Sequence, residues 1–478
     1  MKKIILIYSI LTVSALIAFS QSDLNFSGNG APIELQNADS LIGTTEQNKG
    51  IYRYYEGNVA FKQGDLYVKC QKAVQNISAN TIDLTGNVVI TQNDLKLTSP
   101  KVFYNGSTRI AQSTRSIIIT DKNMKLVADQ GYYNTNTAIA NFYGNVSVID
   151  DTVKIKSDSI EYNRRTLFSK AYGNAKVEDD SSIIYGDYLE HHRQTRDSKA
   201  IGNVIIIGKY NSTYLTTDTI EYNAQMRYTY ATENPILFKI DTTINTIDTT
   251  IVEIENDSSK IAKSNLHVFD TMSISSNKME SIRINNDDRY IFSGNTQVYK
   301  NNLQALADTI IYYNEDGLIY LYGSPVVWYD STQLIADTIS IYIKKNNKVD
   351  KIIAQGAAFA TIKNDTINSE KINQLMGHTI SILFKNDTID FVNSFGDAKS
   401  LLFMSNDDGT DDGATQTSAD TIKVKFIDGE ASQFIGLGGI VGEAIPENIL
   451  IVDIKKYYLP DFRRKDNKPQ KKSLLQIN

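Results

Sequence analysis

The chain repeats itself at a step of 29 residues. "YGNVSVIDDTVKIKSDSIEYN" at 143–163 returns as "YGNAKVEDDSSIIYGDYLEHH" at 172–192. Gly-Asn-Val stands at 57–59, 86–88, 144–146 and 202–204, with Gly173-Asn174-Ala175, Gly294-Asn295-Thr296 and Gly323-Ser324-Pro325 as variants. From Gly57 to Gly86 is 29 residues, from Gly86 to Gly144 is twice 29, and Gly173 and Gly202 follow at 29 each. The skipped unit is present in altered form, since "RIAQSTRSIIITD" (109–121) aligns on "AIANFYGNVSVID" (138–150). A second signature, apolar-x-Ala/Ser-Asp-x-Ile-x-Tyr, appears as "LVADQGYYN" (126–134), "IKSDSIEYN" (155–163), "LTTDTIEYN" (215–223), "ALADTIIYYN" (305–314) and "LIADTISIY" (334–342), and in degenerate form at 417–426. A fixed period of this size marks an array of one supersecondary unit.

Within a unit the side chains alternate. Val146 and Val148 share one face, Ser147 and Ile149 the other; Val153, Ile155 and Ser157 lie opposite Lys154, Lys156 and Asp158. Period-two alternation with lysine on one side means strands with one buried and one wet face. The composition agrees: 28 Tyr against 7 Pro suits strands. Gly-Asn and Asn-Asp mark turns, where Gly and Asn tolerate positive φ. One unit is therefore two strands of about ten residues plus connections. Alone it cannot bury its apolar face; stacked on neighbours, the faces merge into one core. The expectation is an all-β array. The period fits both a stacked antiparallel arrangement and a parallel β-helix with 29-residue coils.

The N-terminus, "MKKIILIYSILTVSALIAFSQ", has a basic start at Lys2 and Lys3, an apolar stretch from Ile4 to Phe19 and small residues before Gln21. It reads as a cleaved signal peptide, 1–20, with an uncleaved anchor as the alternative. Cys70, the single cysteine, excludes an internal disulfide and reads as a small apolar filler. A net charge of −6 argues against a nucleic-acid partner. Residues 21–45 read as a mobile leader and 46–237 as repeats. Residues 238–264, rich in Thr and Asp, read as a linker or hairpin excursion. Repeats resume over 265–437, with looser spacing after 345, and 438–478 form a C-terminal segment whose basic stretch 461–472 reads as disordered.

Sequence motifs for chemistry are absent: there is no Gly-x-Ser-x-Gly elbow, His-Glu-x-x-His or phosphate-binding loop. No cofactor and no metal are expected. His191 and His192 point to opposite faces of a strand and make a poor ligand pair. Asp150-Asp151 and Asp179-Asp180 recur at the repeat interval, which reads as turns, against a glycosidase pair. Asp407, Asp408, Asp411 and Asp412 have oxygen ligands suited to Ca²⁺ but match no standard loop. Asp129, Asp158, Asp187, Asp218, Asp308 and Asp337 break the strands at one fixed place. They read as a corner or bulge, against a ladder of acids for ions or sugars. The remaining candidate is the apolar stripe: Val88, Ile90, Leu95, Leu97, Val146, Val148, Val153, Ile155, Ile160, Leu215, Ile220, Leu303, Ile310, Leu334 and Ile339. It is either a closed dry core or a core open enough to hold acyl chains.

In its Gly-Asn-Val and Asp-x-Ile-x-Tyr motifs the chain resembles the OstA/LptA-type periplasmic proteins of lipopolysaccharide transport, especially the longer OstA-like chains, over 45–235 and more loosely 270–437. The resemblance implies a β-jellyroll of stacked antiparallel strands folded around an apolar groove. It implies lipopolysaccharide acyl chains in that groove, no chemistry on them, and a non-enzymatic role between the membranes of a Gram-negative periplasm. It also implies head-to-tail contacts with other transport proteins, and unpaired sheet edges would serve these through edge-strand pairing, or a homo-oligomer. Two other classes stay open: a secreted β-solenoid for structure or adhesion, and a carbohydrate-active enzyme on a β-helix.

Overall fold

The structure is a computed structural model. It describes residues 34–243 and 268–472, apart from 47–49, 64–65, 93, 121–123, 135, 151–152, 164, 181, 193, 210–212, 285–286, 314–315, 345–347, 364–369, 386–387, 407–409 and 428–429. The expected signal peptide, the first part of the leader and most of the 238–264 segment lie outside these residues. The chain divides into two compact units, 1–231 and 232–478.

Alternation produces the predicted strands, and neighbours in sequence pair in space. In the first unit Ile139–Asp150, Val153–Asn163, Phe168–Asp179, Ser182–His192, Ser198–Gly208 and Thr213–Asn223 form a meander, each antiparallel to the next. Each 29-residue unit supplies two of them. All the strand pairings set out here are antiparallel, which decides between the two expected architectures in favour of the stacked antiparallel array, the β-jellyroll class.

Each pairing is interrupted at mid-length by a bulge on its Gly-Asn strand. Tyr143 pairs with Ser159 and Val146 with Ser157, so Gly144 and Asn145 together face Asp158. Gly144 and Asn145 have φ of 75° and 48°, the left-handed region that Gly and Asn tolerate best. A bulge of this kind bends the strand and increases its twist. The recurrent aspartates hold this corner. Asp129 N–H donates to the Gly144 carbonyl (3.0 Å), and Asn145 Nδ2 donates to the Asp129 carboxylate (2.9 Å). The same side-chain bond joins Asn174 to Asp158 and Asn203 to Asp187. Glycine is required because a Cβ on Gly173 would lie 2.2 Å from Asp158 Oδ2. The aspartate ladder is thus a set of corner braces.

Two expectations need correction, on the leader and on the basic stretch, and the looser spacing after 345 finds its cause. The leader is structured from residue 34: Glu34–Asn37 and Ser40–Glu46 pair with Gly50–Gln63, and Asp39 braces Gly57 as Asp158 braces Gly173. After 345 the corners persist, with Gly356 against Asp337, Gly396 against His378 and Gly438 against Asp420. Spacing loosens there because the strands lengthen, to 15 residues in Val349–Lys363 and 18 in Thr388–Ser405. The basic stretch 461–472 is ordered, held by hydrogen bonds to the second unit's sheet: Lys465 bonds Gln333 and Arg464 bonds Thr361.

The altered unit at 109–121 keeps its place without Gly-Asn. Its strand is split into Ile110–Ser113 and Ile117–Thr120, both paired on Leu95–Asn105. Pro100 occupies the position equivalent to the corner aspartate, a site in a strand where a missing N–H is tolerated.

Candidate functional site

Register turns the alternation into continuous rows. In the first unit Phe61, Val68, Ile90, Leu97, Ile119 and Leu126 are successive cross-strand partners. The row continues through Val148, Ile155, Val177, Ile184, Ile206 and Leu215. Each of twelve strands contributes one residue, and at about 4.8 Å per strand the row spans on the order of 50 Å. All but Leu97, which is partly buried, are buried. Beyond the corner a second row, Phe142, Ile160, Ala171, Leu189, Ala200 and Ile220, alternates large and small side chains from Ile160 onward.

The second unit repeats the plan. One row runs Ile274, Val298, Ala305, Val327, Leu334, Ala360, Leu375, then turns polar at Ser400 and Thr417. The other runs Met279, Phe292, Ile310, Leu321, Ile339, Ala354, Ile380, then reaches Ser394.

The fifteen residues of the predicted stripe all fall on these inward faces. Ile90, Leu97, Val148, Ile155 and Leu215 lie in the first row, Ile160 and Ile220 in the second. Val88 and Val146 flank corners, and Leu95 and Val153 begin strands of the first unit. Leu334 lies in one row of the second unit and Ile310 and Ile339 in the other, while Leu303 begins a strand. Sequence reasoning missed the intervening members, including Ile119, Val177, Ile184, Ile206 and Val298. Extending the alternation through every strand finds them.

The opposite face is wet and charged. Lys170 pairs with Glu161 (3.4 Å) and Lys199 with Glu221 (2.7 Å). Lys176 and Lys209 both bond Glu178, at 3.0 Å each, and hold its carboxyl down at about 2. Exposed pairs of this kind add little stability; their effect is to keep this face out of the core. It carries an open cleft of about 520 Å³ lined by Phe168, Glu190, His192, Lys199, Glu221, Tyr228 and Tyr230, among others. The three carboxylates in its lining are engaged, Glu221 by Lys199, Glu190 by the Tyr188 hydroxyl and Asp197 by the Ala224 N–H. His191 and His192 face opposite ways as expected: His191 is buried with Nδ1 2.8 Å from Ser198 Oγ, and His192 lines the cleft. Asp179 caps a turn by accepting from Ser182 N–H. Asp411 pairs with Lys371, while Asp407 and Asp408 lie outside the described residues. No group of three His, Cys, Asp or Glu able to hold a metal occurs among the described residues.

The fold and its interior define a class: a repeat array of antiparallel strands whose inward rows are apolar over many strands and whose outward rows, in the first unit, are charged. Comparisons with known proteins narrow it. Residues 31–177 match the OstA-like protein family, and residues 202–347 match the LptA/(LptD N-terminal domain) lipopolysaccharide-transport family. The chain is a member of the OstA/LptA-like family of lipopolysaccharide-transport proteins. Among solved structures it is similar to LptH, the LptA-homologous periplasmic component of the lipopolysaccharide-transport device of Pseudomonas aeruginosa. Identity is 16%, over 30% of this chain and 95% of that one, with a TM-score of 0.24. At that score the strand arrangement rests on the pairings above. No curated protein matches the chain.

Proposed function

We propose that this protein is a non-enzymatic periplasmic carrier that holds the acyl chains of lipopolysaccharide along its inward rows and passes them towards the outer membrane. The observation that carries the reading is the twelve-strand apolar row from Phe61 to Leu215, in a chain of the lipopolysaccharide-transport family. Each buried methylene contributes about 0.8 kcal/mol, so a few per acyl chain give useful and reversible affinity. The row is uniform along its length, which suits movement of an acyl chain from strand to strand. Edge strands support handover to other transport proteins or to a second copy: Glu34–Asn37 is exposed along its whole length, and Leu35, Leu41 and Ile42 stand exposed at this edge.

The competing reading is a secreted structural β-array with a closed core, favoured by the near-complete burial of the row itself. Equilibrium binding of lipopolysaccharide to the purified chain separates the two. Saturable binding with unchanged far-ultraviolet circular dichroism is expected. Absence of binding by folded protein would leave the structural reading.

A further inference from the structure

Inside the first unit a third inward row runs beside the second, next to the turns at 105–109, 134–138 and 163–167. In it Tyr104, Tyr133, Tyr162, His191 and Tyr222 alternate with Ala or Ser from strand to strand. The equivalent row of the second unit turns aliphatic after Tyr290 and Tyr312, through Ile319, Ile341, Ile352 and Ile382. Tyr162, His191 and Tyr222 are buried, while Tyr104 and Tyr133 are half-buried. The interior of the first unit therefore grades from apolar to polar towards this one edge, and it meets water at Tyr104 and Tyr133.

The three turns are copies of one another at the 29-residue step. In each the leading asparagine, Asn105, Asn134 or Asn163, accepts two backbone N–H bonds on its Oδ1. The fifth residue, Arg109, Ala138 or Leu167, has a φ of 56–59°. Arginines from the two outer turns meet on the middle one. Arg109 Nη1 donates to Asn136 Oδ1 (3.0 Å), and Arg165 Nη2 donates to the Asn136 carbonyl. The pair also stands close to the polar row. Burial raises the Tyr104 and Tyr133 phenols above their ordinary pKa, and the charges of Arg109 and Arg165, in that order, oppose the rise. None of the three turns contains a carboxylate, in a chain of net charge −6. The later turn at 192–197, by contrast, sets Asp197 beside Arg196.

Two like charges gathered on one residue repel, and an anion between them relieves the repulsion. A guanidinium presents its donors in a planar fork that takes phosphate oxygens two at a time. Two such forks suit a phosphate ester, with its several terminal oxygens, better than a carboxylate, which one fork satisfies. We propose that Arg109 and Arg165 bind a phosphate group on the head of an amphiphile, whose polar remainder lies along the tyrosine row and whose acyl chains lie on the apolar rows. The inference rests on the carrier reading and adds to it the edge that the head occupies and the charge that holds it there.

The test measures equilibrium binding of two probes to the full chain: purified lipopolysaccharide, and the same preparation after enzymatic removal of its phosphates. The parent is compared with Arg109→Gln plus Arg165→Gln, and with Arg196→Gln plus Arg227→Gln, which removes the same charge from later turns of the same edge. The first pair is expected to weaken binding of the phosphorylated lipid on the order of tenfold for each arginine and to leave the dephosphorylated lipid unchanged. The second pair is expected to leave both unchanged. Equal losses for both lipids, or equal losses from both pairs, in chains with parental circular dichroism, would overturn the assignment. Inorganic phosphate bound alone as tightly as the lipid, and lost in the first pair, would give the site to free phosphate and overturn the lipid head. A parent that binds both lipids equally would overturn the head site and leave the carrier standing. A parent that binds neither would overturn the carrier, and this inference with it.

Discussion

Replacing Gly173 with alanine would place a methyl group 2.2 Å from one carboxylate oxygen of Asp158 and 2.9 Å from its Cβ and Cγ, on a residue whose φ is 73°. The left-handed backbone costs an alanine about 1–2 kcal/mol. Forcing the aspartate aside costs about 1–3 kcal/mol more, as overpacking does elsewhere. Loss of glycine's freedom in the unfolded chain returns about 0.4–1 kcal/mol. Gly173→Ala should therefore destabilise the first unit by about 1–4.5 kcal/mol, and at about 2–4 °C per kcal/mol its midpoint should fall by about 2–18 °C. Asp158→Gly, which loses the bond from Asn174 and adds a flexible residue, should cost about 1–2.5 kcal/mol. The double variant has no side chain at 158 for the new methyl to meet. It should cost about 1–3 kcal/mol less than the sum of the singles. Urea unfolding followed by hydrogen exchange in Val153–Asn163 and Phe168–Asp179 measures all three. Additivity within about 0.5 kcal/mol would refute the account of the corner, because distant or independent sites add in that way.

Other predictions concern the two faces and the lone cysteine. Ile155→Ala should destabilise by about 2–5 kcal/mol, and Lys156→Ala, its outward neighbour, by less than about 0.5 kcal/mol; similar midpoint shifts for both would contradict the assignment of faces. Hydrogen bonds from Lys176 and Lys209 hold the Glu178 carboxyl down at about 2, below the ordinary value of about 4.3. Its folded pKa is depressed, so its contribution is present above about pH 4.3 and is lost as pH falls towards 2. The group is solvated, so that contribution is small and screened by salt. Thermal midpoints between pH 5 and pH 2 (about the span of that titration) should fall less steeply for Glu178→Gln than for the parent, and parallel curves would count against it. Burial pushes the Cys70 thiol up to about 11. At pH about 8 the folded chain should react with a thiol reagent on the order of a hundredfold more slowly than the unfolded chain, and equal rates would show the site to be open.

Much of this architecture was legible because the physical constraints are local. Alternation around Ile155 and Lys156 gives the strand and its faces, and the recurrence of Gly144, Gly173 and Gly202 gives the stacking. Direction was not legible: a 29-residue period sets how much chain each step uses, without saying whether the chain turns back or coils onward. The first strands were missed although Ala38-Asp39-Ser40 carries the corner signature, because no Gly-Asn precedes it to set the frame. The later corners were obscured as the strands lengthened around Gly356 and Gly396. The seating of the C-terminal stretch was hidden because its clues lie far apart. Trp328, Phe359 and Leu401 stand at outward positions where earlier units carry charge, and only their pairing shows that something must cover them. The candidate rows were half visible, since alternation names inward residues but register alone joins them.

The most direct test of the central claim places a photo-crosslinking residue at Ile155, and separately at Lys156, in cells, and probes each for lipopolysaccharide adducts. The account predicts adducts at 155 and none at 156, because only the inward row meets acyl chains. Adducts at neither position, in protein shown to be folded, would mean a closed core and would contradict the carrier.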